Sequence, residues 1–297
     1  MKKMKYFLVT LLIIAVASCS NDSAEPKGTL SVKLSDAPMH YNQFMSASVT
    51  IDKIEIGNTA HINSMINIIN TPMSYNLLEL INGITATMAN TEIPVGNYDL
   101  MRLYISSTEM VMTNGDLYTY NMNQDGYSGN GMMQGGMMLN SNNRSIDITL
   151  NNTLNITEGG MNEFLLDMDV NESFMLEGLN FSGSGSNMMM SMTGFTFMPT
   201  MRLVDMSTCG TIHGIVRDAV ENLPNATISL MHNGTLYTTT HSDSNGNYTF
   251  IGIPQGMYTI KVELDGYIMN PIGNEQNMDE LNMTSNDTLS VNFNMTT

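Results

Sequence analysis

The sequence predicts an all-β protein with two β-sandwich domains, on the basis of three observations. Apolar residues recur at every second position in several segments, whereas no segment sustains the spacing of an amphipathic helix. Glycine, asparagine, aspartate and proline interrupt these segments at short intervals, which is typical of the turns of sandwiches and barrels. The length of 297 residues exceeds that of one small sandwich and suits two domains.

The first residues predict export and attachment of a lipid at Cys19. Lysines at positions 2, 3 and 5 precede an apolar stretch, Phe7 to Ala17, that is too short to span a bilayer as a helix. Residues 1–18 are therefore predicted to be a signal peptide. The run that ends at Cys19 resembles a bacterial lipobox, which implies that the chain is cut before Cys19 and that its thiol carries the lipid. The alternative is an ordinary secretory signal that ends in a cysteine by chance.

The next residues, 19–27, are polar and are predicted to form a tether. They resemble the export tag of Bacteroidetes lipoproteins that are displayed on the outer surface. This resemblance implies a lipid-anchored protein of the cell envelope, held in the outer membrane and exposed at the surface. A short solvated tether without a targeting role would have the same composition.

The composition argues against nucleic acid as a partner. Lysine and arginine total 11 against 28 aspartate and glutamate residues, a net charge of −17, so no basic surface for phosphates is expected. The chain has two cysteines. If Cys19 carries a lipid, Cys209 has no partner within the chain and is predicted to be a small buried apolar residue. An intermolecular disulfide through Cys209 is the alternative.

Residues 28–205 are predicted to form the first sandwich. Between Ser48 and Gly57 the apolar alternation changes phase, and a β-bulge near Asp52-Lys53 would produce that change. Further strands are predicted where apolar and polar residues alternate, at 146–150 and 164–170. The region resembles an uncharacterised domain family that is common in bacterial lipoproteins, which implies an all-β sandwich and no known catalytic residues. The motifs that carry the resemblance are Gly28–Pro38, Val49–Ile56, Tyr75–Leu80, Pro94–Tyr98, Phe164–Val170 and Pro199–Val204.

Residues 208–297 are predicted to form the second sandwich. The pair Asn245-Gly246 predicts a type I′ hairpin turn, because both residues tolerate positive φ. Alternating apolar residues then predict strands from Tyr258 to Leu264 and from Leu289 to Met295. With Gly210–Asp218 and Pro224–Leu230, these motifs resemble a carboxypeptidase regulatory-like domain. That resemblance implies a seven-strand, transthyretin-like sandwich.

Two clusters of methionine suggest metal chemistry. Thioethers are soft ligands that suit Cu(I), and flexible loops can bring three of them around one Cu(I) or Ag(I) ion. The other explanation is a general substitution of methionine for Ile, Leu and Val, since 31 methionines are spread along the chain. The clusters consist of Met132, Met133, Met137 and Met138, and of Met188, Met189, Met190 and Met192.

Sugar binding is suggested by analogy, because regulatory-like sandwiches share their fold with starch-binding domains. The chain has no tryptophan, so the rings that could stack on a sugar would be tyrosines. Tyrosines on exposed strand faces are equally ordinary strand formers. The candidate ligand-binding residues are Tyr104, Tyr118, Tyr120 and Tyr127, of which the middle two share one face of a strand.

The familiar sequence motifs of catalysis are absent: the chain has no nucleophile elbow, no phosphate-binding glycine loop and no C-x-x-C pair. Its five histidines are scattered without metal-ligand spacing. We therefore predict a non-enzymatic protein without a cofactor, held at a membrane by its lipid. It would serve as a binding, adhesion or spacer module, with a glycan or an envelope protein as partner. Soft-metal binding is the first alternative, and an accessory role in glycan uptake is the second.

Overall fold

The computed structural model describes residues 25–37, 43–122, 131–132, 137–140, 145–182, 189–269 and 281–297. Four candidate site residues, Cys19, Tyr127, Met133 and Met188, lie outside these ranges, as do the predicted signal peptide and residues 19–24 of the predicted tether. Nearly all regular structure in the described ranges is β-strand, and the helix α1 (Val170–Ser173) has only four residues. The predicted all-β class is confirmed. No helix in these ranges is long and apolar enough to cross a membrane.

The N-terminal domain, residues 25–205, is built from two sheets that enclose one core. The strands are β1 (Lys27–Ala37), β2 (Phe44–Gly57), β3 (Ile66–Ile69), β4 (Met73–Asn76), β5 (Ala86–Pro94), β6 (Gly96–Met112), β7 (Leu117–Asn121), β8 (Gly131–Met132), β9 (Met137–Asn140), β10 (Ser145–Ile156), β11 (Met161–Asp169), β12 (Phe174–Glu177), β13 (Asn180–Ser182), β14 (Met189–Ser191), β15 (Gly194–Phe197) and β16 (Met201–Asp205). The first sheet has the strand order β16-β11-β1-β5, and the larger one has the order β3-β2-β6-β10-β9-β8, with β4 on β2 and β7 on β6. The pairs β12-β15 and β13-β14 form separate two-stranded ribbons.

Period-2 alternation determines which side chains enter this core. Leu30, Val32 and Leu34 of β1 have no exposed surface and belong to a single buried cluster with residues of both sheets. Each such side chain contributes roughly 1.5–3 kcal/mol by its removal from water. The intervening residues of β1 face outwards, and one of them, Ser35, helps to build the site described below.

The predicted bulge in β2 is confirmed. The register between β2 and β6 shifts on both sides of Ile51, between Thr50 and Ile51 and again between Ile51 and Lys53. As a result Ile51 and Ile54, which a regular strand would place on opposite faces, are both buried. Asp52 accepts a hydrogen bond of 2.7 Å from the Ser106 hydroxyl on the neighbouring strand.

The C-terminal domain, residues 209–297, has its own buried cluster, which confirms that the chain forms two domains. Its strands are β17 (Cys209–Arg217), β18 (Thr227–His232), β19 (Thr235–His241), β20 (Asn247–Pro254), β21 (Gly256–Glu263), β22 (Ile268–Met269), β23 (Leu281–Met283), β24 (Thr288–Ser290) and β25 (Phe293–Thr296). One sheet has the order β20-β17-β25-β22, with β24 on β17, and the other has the order β19-β18-β21-β23. A 3-10 turn at Met206–Thr208 connects the two domains.

The two domains share a structural plan. In the first, β1 lies between antiparallel β5 and parallel β11; in the second, β17 lies between antiparallel β20 and parallel β24 and β25. An Ile-Pro-x-Gly-x-Tyr motif then carries the chain into the opposite sheet, at 93–98 and at 253–258. The Tyr98 hydroxyl donates to the Pro94 carbonyl oxygen at 2.8 Å, and the Tyr258 hydroxyl donates to that of Pro254 at 3.0 Å. Each bond holds the corner where the chain changes sheets.

The turn at Asn245-Gly246 differs from the prediction. It joins β19 to β20, which belong to different sheets, so it is not a hairpin. Gly246 has a φ of 75°, whereas Asn245 is not among the described residues with positive φ, although a type I′ turn requires positive φ at both positions. The Asp243 carboxylate stabilises the turn by accepting hydrogen bonds of 2.8 Å from the backbone N–H groups of Asn245 and Asn247.

Candidate functional site

The polar cleft between the two domains is the candidate site. The cleft is open to solvent, and its cavity volume is about 20 Å³. The N-terminal domain supplies the ends of β1 and β11, the loop after Leu80, and β16, while the C-terminal domain supplies β19 and β20. The lining residues are Ser35, Asp36, Leu80, Asn82, Gly83, Asp167, Arg202, Thr238, Thr239, Thr240, Thr249, Phe250 and Ile251.

A row of three polar side chains crosses the first sheet at this cleft. The register pairs Ser35 of β1 with Asp167 of β11, and Asp167 with Arg202 of β16. Because residues that face each other across a ladder point to the same side of a sheet, the three side chains lie together on the outer face. The Ser35 hydroxyl donates to Asp167 Oδ1 at 2.7 Å.

Arg202 connects this row to the C-terminal domain. Its Nε donates to Asp167 Oδ2 at 2.8 Å, its Nη2 contacts the same oxygen, and its Nη1 donates to the Tyr237 carbonyl oxygen at 3.2 Å. Burial by itself lowers the pKa of Arg202, but the neighbouring Asp167 carboxylate more than reverses this, and the pKa is raised. The guanidinium is therefore permanently charged, as arginine normally is in proteins.

The Arg202 guanidinium packs against a cluster of aromatic rings. The Arg202 cation lies 4.0 Å from the centre of the Tyr237 ring, within the range of a cation–π interaction. The Tyr237 ring packs at 5.6 Å against Tyr258, which in turn lies 4.8 Å from the His232 ring. Burial raises the pKa of the Tyr237 hydroxyl. Of these three rings, that of Tyr237 contacts the N-terminal domain, through Arg202.

Asn82 makes the second connection between the domains. It has a φ of 57° and is followed by Gly83 at 80°, so that the backbone turns sharply towards β20. The Asn82 Oδ1 accepts from the Thr249 N–H at 2.5 Å, and its Nδ2 donates to the Asn247 carbonyl oxygen at 3.3 Å. β20 lies at the edge of its sheet, as β19 does in the other. Asn82 and Arg202 thus occupy hydrogen-bonding positions on two strand edges that would otherwise be open to pairing.

The acidic side chains of the cleft are engaged in hydrogen bonds within the chain. Asp167 is held by the Ser35 hydroxyl and the Arg202 guanidinium, and Asp36 Oδ1 accepts from the Val170 N–H at 3.0 Å, so both carboxylates serve as acceptors of internal bonds. The Thr240 hydroxyl oxygen is buried without a hydrogen-bond partner. Elsewhere too, no group of three or more His, Cys, Asp or Glu side chains among the described residues could hold a metal ion.

The tyrosines singled out in the sequence lie away from this cleft. The Tyr104 hydroxyl donates to Glu55 at 2.9 Å, and the Lys53 ammonium lies 4.4 Å from the centre of its ring. The Tyr118 hydroxyl donates to the Met192 carbonyl oxygen at 2.8 Å. Tyr120 is buried in the core, 6.1 Å from the Phe195 ring. The three described rings are therefore engaged in contacts within the chain.

The structure places the described methionines of the two clusters in different settings. Register puts Met132 of β8 directly opposite Met138 of β9, while Met137 lies opposite Ile148 of β10. Met189 lies on β14. Met190 and Met192 are buried in the core of the N-terminal domain, where a thioether serves as an adaptable apolar side chain. Cu(I) binding by these clusters remains a prediction.

Cys209 is buried at the start of β17, with 4% of its surface exposed, as predicted. Burial raises the pKa of its thiol, which disfavours the reactive thiolate at neutral pH.

Sequence reasoning did not identify Asn82, Asp167 or Arg202 as a group. The only local signal was the Asn82-Gly83 pair, a common turn sequence. Their association depends on contacts across 35 residues for Arg202 with Tyr237 and 167 residues for Asn82 with Thr249.

Comparison with known proteins identifies two sequence families. Residues 27–184 match a domain of unknown function, DUF4382, and residues 211–296 match the carboxypeptidase regulatory-like domain. No curated protein matches the chain.

Solved structures with some likeness include two bacterial pilins and the TIE protein of Bacillus anthracis. The TIE protein of Bacillus anthracis is 11% identical with a TM-score of 0.26, and the match covers 90% of this chain and 58% of that one. BcpA, the major pilin subunit of Bacillus cereus, is 11% identical with a TM-score of 0.22, covering 91% of this chain and 100% of the pilin. GBS52, a minor pilin of Streptococcus agalactiae, is 10% identical with a TM-score of 0.24, covering 90% and 96%. Scores of this size support no statement about the function of this chain.

Proposed function

Since the chain belongs to the DUF4382 family and also carries a carboxypeptidase regulatory-like domain, we propose that it is a non-catalytic module anchored at the cell envelope. In this role it holds a binding surface at a fixed distance and orientation from the membrane. The lipid on Cys19 anchors the chain in the outer membrane. Residues 19–27 form the tether that leads to β1.

The domain junction is the observation that carries this proposal. A spacer has to transmit orientation, and inter-domain motion is the default for two domains joined by a short linker. Here Arg202 binds Asp167 in one domain and both the Tyr237 carbonyl and ring in the other. Asn82 adds two hydrogen bonds to β20. These contacts oppose rotation about the turn at Met206–Thr208.

The bonds made by the acidic side chains of the cleft support a non-catalytic role for the chain. A general base has to be free to accept a proton from a substrate. Asp167 instead pairs with the Arg202 guanidinium and accepts a hydrogen bond from Ser35, so its oxygens are already engaged within the chain. The site is suited to joining domains and not to proton transfer.

The anchor can be tested by membrane fractionation and labelling with a radioactive fatty acid in a bacterial host. We expect the wild-type chain to sediment with membranes and to carry label, because several acyl chains anchor a protein stably. Cys19→Ala should move the chain to the soluble fraction and abolish labelling. Cys209→Ala is the matched control and should behave as wild type, since that thiol is buried in a folded domain. A wild-type chain without label would refute the anchor.

A further inference from the structure

Five asparagines in the chain are followed directly by glycine. In such a pair the glycine nitrogen can attack the asparagine side chain, because glycine has no Cβ to hinder the approach. Four of the pairs lie within the described residues, and the fifth, at 130–131, begins outside them. Since the pairs share one dipeptide, we expect the fold to set the differences in their reactivity. The four described pairs are Asn82-Gly83, Asn114-Gly115, Asn233-Gly234 and Asn245-Gly246.

The reaction is a deamidation that needs only water. The glycine nitrogen loses its proton and bonds to the side-chain carbonyl carbon of asparagine, while the bond from that carbon to Nδ2 breaks and ammonia leaves with the proton. Water then opens either carbon–nitrogen bond of the cyclic imide and leaves aspartate or isoaspartate. A hydrogen bond to the glycine N–H or to the side-chain amide has to break first, and therefore slows the reaction.

The fold holds the amides of Asn82 and Asn114. Asn82 is bound at both ends of its amide to β20, as described above. Asn114 Nδ2 donates to Asp116 Oδ2 at 2.7 Å, and Asn114 Oδ1 accepts from the Asp116 N–H at 3.0 Å. The Gly115 N–H donates to the Met112 carbonyl oxygen at 2.9 Å. Both asparagines are therefore protected in the folded chain.

At Asn245 the fold engages the nitrogen that would attack. The Gly246 N–H donates to the Asp243 carbonyl oxygen at 2.9 Å, and Gly246 is buried. A Cβ on Gly246 would lie 2.6 Å from the Val216 carbonyl oxygen. The backbone of Gly246 is therefore closely packed and has little room to rotate towards the Asn245 side chain.

The pair Asn233-Gly234 lacks these forms of protection. It forms the two-residue turn between β18 and β19, with a φ of 51° at Asn233 and of 78° at Gly234. Both residues are exposed. Neither the Asn233 amide nor the Gly234 N–H makes a hydrogen bond within the described part of the chain, and a Cβ on Gly234 would meet no atom within 4 Å. The nitrogen and the amide are thus free to meet when the turn opens locally.

We propose that Asn233 is a site of spontaneous deamidation, which the fold leaves open at this pair and closes at the other three. Aspartate at this position adds a negative charge to a chain that already carries −17. Isoaspartate adds a methylene group to the backbone of a turn whose flanking residues, His232 and Thr235, face each other in register. It therefore disturbs the strand pairing at that end of the hairpin. The inference goes beyond the proposed function and does not depend on the lipid anchor.

The test follows all four asparagines in one sample. The full chain with Cys19→Ala is incubated in mildly alkaline buffer made with heavy-oxygen water, and each site is measured by peptide mass spectrometry. We expect Asn233 to react at least about threefold faster than Asn245, where one bond has to break, and at least about tenfold faster than Asn82 or Asn114, where two or more have to break. In guanidinium chloride the four rates should become similar, because the unfolded chain lacks these bonds. Each converted site should carry one heavy oxygen atom, since water supplies it.

Two variants at glycines with open surroundings test the attack itself. Gly234→Ala should slow the conversion of Asn233 by at least about threefold, because the methyl group hinders the attacking nitrogen. Gly115→Ala is the matched control and should leave the rate at Asn233 unchanged, since Gly115 also has a positive φ, 93°, and a Cβ there would likewise meet no atom within 4 Å. Circular dichroism checks that both variants are folded. If Gly234→Ala is not folded, it is compared with the wild type in guanidinium chloride, where the same slowing is expected.

The proposal is overturned if Asn82, Asn114 or Asn245 reacts as fast as Asn233 in the folded chain, or if Asn233 stays unmodified in the folded chain while it reacts in guanidinium chloride. It is also overturned if the folded-state differences persist in guanidinium chloride, because their cause would then be the flanking sequence. An unchanged rate at Asn233 in Gly234→Ala would exclude attack by that nitrogen. None of these results bears on the lipid at Cys19.

Discussion

The side-chain amide of Asn82 takes the place of a neighbouring strand beside Thr249. It accepts from the Thr249 N–H at 2.5 Å and donates to the Asn247 carbonyl oxygen at 3.3 Å, two bonds that a peptide group of an adjacent strand would otherwise make. An edge strand is a site of unwanted pairing unless it is covered. The N-terminal domain therefore protects the C-terminal sandwich as well as orienting it.

Replacing Asn82 should expose this edge. Asn82→Gly keeps the positive φ of the backbone but removes the amide, so we expect faster hydrogen exchange at the Thr249 N–H and a loss of about 1 kcal/mol in the free energy of unfolding. Asn233→Gly is the control, because Asn233 has a similar φ of 51° in the β18-β19 turn and lies away from the junction. If the hydrogen-exchange rate of the Thr249 N–H is unchanged in Asn82→Gly, Asn82 does not cover the edge of β20.

Arg202 should contribute more than a surface ion pair does. Arg202→Ala removes the bonds to Asp167 and Tyr237 and leaves a largely buried carboxylate without its cation, so we expect a loss of about 2 kcal/mol in urea denaturation. Arg202→Lys should recover little of it, because lysine lacks the planar fork and stacks poorly. Lys33→Ala breaks an ion pair with Glu163 in which both side chains are about a third exposed, and should cost less than about 1 kcal/mol. If Arg202→Ala and Lys33→Ala lose the same free energy of unfolding, the proposed role of Arg202 at the domain junction is wrong.

A methyl group at Gly214 should disrupt the C-terminal domain. A Cβ there would lie 1.7 Å from the Val291 carbonyl oxygen, which accepts a hydrogen bond of 2.6 Å from the buried Tyr248 hydroxyl. We expect Gly214→Ala to cost about 3 kcal/mol or more, measured by thermal unfolding. At Gly194 a Cβ would meet no atom within 4 Å, and Gly194→Ala should be neutral or slightly stabilising. A Gly214→Ala domain as stable as wild type would contradict the close packing of Gly214 against the Val291 carbonyl group.

The turn at Asp243 should make stability depend on pH in the acid range. Burial by itself raises the pKa of Asp243. Hydrogen bonds from the N–H groups of Asn247 and Asn245 lower that pKa by more, so it lies below its ordinary value of 3.8. An acid whose pKa is lower in the folded state adds stability above its unfolded pKa, and that stability is lost as the pH falls through the folded pKa. Unfolding of Asp243→Asn should therefore depend less on pH below about 4. Asp265→Asn, at an exposed position without a described hydrogen bond, is the control and should follow the wild type in urea denaturation at each pH.

Local sequence patterns predicted features that depend on neighbouring residues. The phase change between Val49 and Ile56 predicted the bulge at Ile51–Lys53, because alternation and burial are both properties of one strand. The same kind of reasoning failed at Asn245-Gly246. A turn sequence indicates that the chain reverses direction, but it does not indicate whether the two strands then pair or enter different sheets.

The sequence by itself determined the all-β class, the two domains, the burial of Cys209 and the signals around Cys19, since each follows from composition or from residues close together in the chain. Only the tertiary structure decided that Asn82 and Arg202 join the domains and that Tyr118 and Tyr120 contact the core. The physical reason is distance along the chain. Hydrogen bonds between residues 35 or 167 positions apart arise from the packing of whole sheets, and a single sequence carries no local pattern that specifies them.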